Sequence, residues 1–145
     1  MKKLFFVIIF ISMALVFVSC TDNKVDNPSR MTPEETVQRY FVYWQEKNAA
    51  GMDSLVYEKM HGTDAELDQL NSVVLNSCKE RTEKEDWDDI WYEKPYDYTC
   101  VDASFTIDYK NGAAAGFSNG SYDWQYYLVK ESENADWIIV MWGVG

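Results

Sequence analysis

The chain has 145 residues, a formal net charge of −11 and 16% aromatic side chains. That is one domain's worth of sequence, enough to bury a core without a metal or a disulfide framework. The acidic balance argues against nucleic acid and anionic headgroups as partners. A single histidine, His61, and no Cys-x-x-Cys spacing leave no metal site and no cofactor to expect.

The N-terminus comes first in chain order. Lys2 and Lys3 precede a mostly apolar run from Leu4 to Val18, followed by Ser19, Cys20 and the polar Thr21, Asp22 and Asn23. A basic start, a short apolar stretch and small residues before a cut are the parts of a secretory signal. The run is interrupted by Ser12 and falls short of the about 20 residues a spanning helix needs. Its Val18-Ser19-Cys20 ending resembles a bacterial lipoprotein signal peptide, with Phe17 where Leu is usual. The resemblance implies a signal over 1–19 and lipidation of Cys20, the new N-terminus. Two or more acyl chains, palmitate among them, hold a protein stably where one does not. The expected location is therefore the outer, extracytoplasmic face of the cell membrane. Losing Lys2 and Lys3 makes the remainder more acidic still.

Residues 20–31 read as a flexible tether with almost nothing to bury. A single domain is expected over 32–145. It opens with Thr32-Pro33-Glu34-Glu35, a capping box with proline at the first helical position. Val37, Tyr40, Phe41 and Trp44 then form the apolar stripe of a helix on a core. Asn48 to Gly51 reads as a break. Met52, Leu55, Val56 and Met60 space as a second, shorter helix ended by His61-Gly62, and Leu67 and Leu70 as a further helical turn.

From Ser72 the period changes, with a strand expected from Val73 to about Thr82. Trp87, Ile90 and Trp91 suit a short helical segment. The clearest strand runs from Tyr98 to Lys110. Val101, Ala103, Phe105, Ile107 and Tyr109 share one face, and Cys100, Asp102, Ser104, Thr106 and Asp108 the other. Asn111-Gly112 turns it. Ser121 to Lys130 is a strand with Trp124, Tyr126 and Leu128 on one face, and Trp137 to Trp142 is the last. So apolar an end strand is expected inside the sheet rather than at its edge. Helices followed by long antiparallel strands make an α+β fold, with N-terminal helices packed on a strongly curved antiparallel sheet.

Outside the cytoplasm, Cys78 and Cys100 are candidates for a disulfide. A loop of roughly 20 residues would gain about 3 kcal/mol. Two buried free thiols are the other reading.

Thr32-Pro33-Glu34-Glu35-Thr36-Val37, Tyr40-Phe41, Tyr43-Trp44, Asn48 and Met52-x-Ser54-Leu55 resemble the opening of an uncharacterised lipoprotein family of Gram-positive bacteria. Tyr122-Asp123-Trp124, Trp137-Ile138-Ile139 and Trp142-Gly143-x-Gly145 resemble its close. By resemblance that family belongs to the nuclear-transport-factor-two-like superfamily, whose fold is a cone, or cystatin-like roll, of bent sheet around a long helix. Members include ketosteroid isomerase and scytalone dehydratase, which use carboxylate, His or Tyr groups inside the cone. Others are non-catalytic binding or dimerising modules, so the fold transfers no function by itself.

The residues point to no catalytic set. Asp123 alternates with Gln125 and is expected to face away from the Trp124 face. Asp102 and Asp108 fall on the polar face of their strand. His61 sits alone, and Ser54 and Cys78 have no base in pattern with them. The expectation is a non-catalytic binding or interaction module, presented by the lipidated N-terminus and meeting a protein partner or a second copy through a sheet face around Tyr98, Tyr127 and Val129. One alternative is a carrier or sensor whose cavity is lined by Tyr40, Trp44, Phe105 and Trp124. The other is a lyase or isomerase of the ketosteroid-isomerase type.

Overall fold

The computed structural model describes residues 30–62, 67–83, 92–114 and 116–144. The signal at 1–19, Cys20, most of the tether and the expected helical segment at Trp87, Ile90 and Trp91 lie outside the described residues.

Helix α1 (Pro33–Gln45) begins where the capping box places it. The Glu35 amide donates to Thr32 Oγ1 (3.2 Å), and the Thr32 amide donates to the Glu35 carboxylate (2.7 Å). Thr36, Val37, Tyr40, Phe41 and Trp44 are buried along one side. The expected second helix is instead two short pieces. Asn48 does not break the chain but caps a new turn, its Oδ1 accepting from the Gly51 amide (2.9 Å), which starts α2 (Ala49–Asp53). Gly51 allows α2 to lie against α1, because a Cβ there would stand 2.7 Å from the Tyr43 ring. A 3₁₀ turn follows at Glu58–Met60.

After a turn at Ser54 and Leu55, the chain leaves helical geometry at Val56 and Tyr57 for a reason. The Tyr57 amide donates to the Ile139 carbonyl (2.8 Å), and the Ile139 amide donates to the Leu55 carbonyl (2.9 Å). Segment 55–57 thus covers part of the edge of the last strand.

The main sheet is antiparallel, in the order β1-β2-β5-β6: β1 (Leu70–Glu80), β2 (Asp97–Tyr109), β5 (Gly120–Lys130) and β6 (Ile138–Gly143). A small hairpin, β3 (Ala113–Ala114) with β4 (Phe117–Ser118), interrupts the connection after Asn111-Gly112. Gly112 has φ +80°, which favours glycine at this turn. The fold is mixed α+β, with α1 packed on a four-stranded antiparallel sheet that does not close.

Leu67–Gln69 is a 3₁₀ turn, but Leu70 already begins β1, three residues before the expected start. The last strand corrects the expectation more sharply, because β6 is an edge strand. Its Ile139 amide and carbonyl are met by Leu55 and Tyr57, so edge groups that would template aggregation are occupied within the chain. The other edge, β1, is managed from α1: the Val73 amide donates to Gln45 Oε1 and the Glu80 amide to Glu34 Oε1, both at 2.7 Å. Irregularities between Leu70 and Ser72 and between Leu75 and Ser77 twist that edge further.

Candidate functional site

The inner face of the sheet receives α1, and there the four residues expected to line a pocket come together. Tyr40 meets Trp44 with ring centres 6.1 Å apart, Trp44 meets Phe105 at 5.8 Å, and Phe105 meets Trp124 at 5.6 Å. Phe41 and Tyr122 add contacts to Phe105 at 5.1 and 5.6 Å. The rings lie against one another across the space assigned to a ligand. Phe105 is fully buried at their centre, while Trp124 keeps partial exposure.

Two polar atoms in this interior lack hydrogen-bond partners: Trp124 Nε1 and the Tyr126 hydroxyl. Both lie on the inner face of β5, two residues apart. Burial first, then Tyr40 and Cys78, pushes the Tyr126 phenol well above its ordinary value. A buried hydroxyl without a partner costs about 1–3 kcal/mol of desolvation. Tyr126→Phe is therefore expected to raise the urea midpoint, by about that energy at most. A lowered midpoint would show that the hydroxyl has a partner.

The two cysteines stand on opposite faces. Cys78 pairs with Ala103 on the inner face and donates its thiol to the Glu34 carbonyl (3.7 Å). Cys100 alternates with Val101 and turns outward, opposite Tyr127. The two cysteines are not joined in a disulfide, so of the two open readings the structure has unbridged thiols. Burial, then Glu34, pushes Cys78 up to about 11, which keeps it a protonated thiol at neutral pH.

None of the described Asp or Glu residues is fully buried. Asp102 and Asp123 face out, as the alternation predicts. Asp108 is half-buried and accepts from Asn71 Nδ2 (2.7 Å) and from Asn119, pinning the hairpin turn. Ser54 Oγ donates to the Gly51 carbonyl (2.6 Å), and His61 Nε2 donates to the Val56 carbonyl (3.1 Å).

The sheet face turned away from α1 is the second place to look. The patch expected at Tyr98, Tyr127 and Val129 needs correction, because Val129 is fully buried there and both tyrosines are half-buried. Further along the same face lies an open groove of about 550 Å³, whose polar lining includes Lys79, Arg81, Asp102, Ser104, Asp123 and Gln125. Arg81 Nε donates to both Asp102 oxygens at 3.0 and 2.9 Å. With its amide oxygen towards the guanidinium, Gln125 accepts from Arg81 Nη1 (3.2 Å) and donates to the Tyr127 hydroxyl (2.8 Å). Lys79 and Asp123 are exposed on either side of this network. The cations come from β1 and the residue after it, and the carboxylates from β2 and β5. Sequence reading missed Lys79 and Arg81, although Ser77, Lys79 and Arg81 recur with the period of one strand face.

No curated protein matches the chain. No solved structure matches it either. Residues 34–143, from the first turn of α1 to the end of β6, match a domain of unknown function, and the chain belongs to that family, DUF4829.

Proposed function

We propose that this chain is a lipid-anchored, extracytoplasmic interaction module without a catalytic role, which pairs with a second copy of itself through the outer face of its sheet. The observation that carries this reading is the charge arrangement of the groove: exposed Lys79 stands to one side and exposed Asp123 to the other of the internal Arg81–Asp102 pair. A two-fold rotation laying one such face on another brings each positive side over a negative one. Inside the fold, the rings of Tyr40, Trp44, Phe105 and Trp124 pack on one another. Anchoring at Cys20 and a cone-shaped, nuclear-transport-factor-two-like fold belong to the same reading. They rest on the sequence resemblance, together with the order of one long helix followed by antiparallel strands.

Charge reversal tests the pairing. Asp123→Lys is expected to shift the chain towards monomer in sedimentation velocity, and adding Lys79→Glu to restore the pair. A dimer indifferent to both changes would place the contact elsewhere.

One observation favours a second reading, a carrier of a small hydrophobic ligand. The unpartnered Trp124 Nε1 and Tyr126 hydroxyl are donors that acceptor oxygens on such a ligand would satisfy.

A further inference from the structure

The pairing face has a direction as well as a charge pattern. Lys79 of β1 lies opposite Asp102 of β2, and Asp102 lies opposite Gln125 of β5. Asp123 stands two residues before Gln125 on the same strand, so it shares that face. The two exposed charges are therefore about 10 Å apart across the strands and about 7 Å apart along them.

A two-fold axis that lays one such face on another runs along the strands or across them. An axis exchanging Lys79 with Asp123 is perpendicular to the line between them, and so runs closer to the strand direction. It places Lys79 of each copy over Asp123 of the other. An axis across the strands, through the middle of the groove, sets Lys79 beside its own counterpart and Asp123 beside its own, and these like charges repel. The first arrangement points the strands of both copies towards one end. The second points them to opposite ends.

The two ends of the sheet are not alike. Helix α1 starts beside the end of β1, where the Glu80 amide donates to Glu34 Oε1, and finishes near the beginning of β1, where the Val73 amide donates to Gln45 Oε1. The loop after β5 lies at the same end as the start of α1, since Lys130 pairs with Asp97 at the start of β2. Arg30, just before α1, donates from Nη1 to Asn134 Oδ1 in this loop (3.1 Å). The chain thus enters the domain at the β5–β6 loop, and the turn at Asn111-Gly112, after β2, lies at the opposite end.

We propose that two copies pair with both N-terminal segments leaving from the same end, so that the pair forms between copies held in one membrane and not between facing membranes. It rests on the pairing face and the Cys20 anchor proposed above. Cys20 stands ten positions before Arg30, a reach of about 35 Å at most, so the two anchors meet one bilayer.

The test is energy transfer between labelled copies of the unacylated chain. One set of copies carries a donor dye at Glu133, and the other an acceptor at Glu133 or at Asn111, both of which are exposed. Azido side chains built in at these positions leave the native cysteines unlabelled. Transfer from Glu133 to Glu133 is expected to exceed transfer from Glu133 to Asn111, and both are expected to be lost with Asp123→Lys. Equal transfer, or the reverse order, in a chain that sediments as a dimer would overturn the shared-end arrangement and leave the pairing face in place. A monomer showing no transfer, or transfer indifferent to Asp123→Lys, would overturn the pairing face itself and the shared end with it.

Discussion

Truncating Phe105 to alanine is expected to destabilise the domain by about 3–5 kcal/mol, the range for a large aromatic removed from a packed core. Phe105 is fully buried in the middle of β2, and its ring touches those of Phe41, Trp44, Tyr122 and Trp124. No single neighbour can fill the space, because the rings come from α1 and β5 and are held by separate backbones. A melting temperature lower by on the order of 10–20 °C follows. Tyr96, which is 61% exposed, supplies the control; its alanine variant should change stability by less than about 0.5 kcal/mol. A Phe105→Ala cost below about 1 kcal/mol would mean that the rings surround space instead of filling it. That outcome would favour the carrier reading over the pairing one.

The second large effect concerns location. On the proposed anchoring, Cys20→Ala removes the sulfur to which the two-chain acyl group attaches. Each buried methylene is worth about 0.8 kcal/mol, so two chains hold the protein in the membrane and none does not. Lipid labelling with radioactive palmitate is expected to fall to background, and the protein to leave the membrane fraction. Unchanged labelling would contradict acylation at Cys20. Loss of label with full membrane retention would show that the apolar stretch before Cys20 holds the chain by itself.

The elements legible in the sequence are those whose signals are local. Thr32 and Glu35 cap α1 through groups three residues apart, and the alternation from Val101 to Tyr109 reports one buried face of β2 directly. The burial of Tyr40, Trp44 and Phe105 follows from the same two periods. What the sequence hid depends on partners distant in the chain. Leu55, Val56 and Met60 have helical spacing, yet no helix runs through Val56 and Tyr57, because the backbone at 55–57 bonds to Ile139, more than eighty residues away. The place of β6 at the edge could not be read from its apolar composition, since the cover comes from that same distant segment. Cys78 and Cys100 are close enough in sequence to suggest a bridge, and only the register with β2 separates them onto two faces. Val129 shows the limit of face assignment: it lies on the outer side of the sheet and is buried all the same. For the site, alternation placed Asp102 and Asp123 outward correctly, but the groove exists only because Lys79 and Arg81 are brought beside them by the pairing of β1 with β2.

The pairing face is tested most directly by recording amide NMR spectra of the unacylated chain over a wide dilution series. Concentration-dependent shifts clustered at Ser77, Lys79, Arg81, Asp102, Asp123 and Gln125, and absent in Asp123→Lys, are the predicted result. Spectra that do not change with concentration, or changes centred on the solvent side of α1 around Gln38 and Val42, would contradict it.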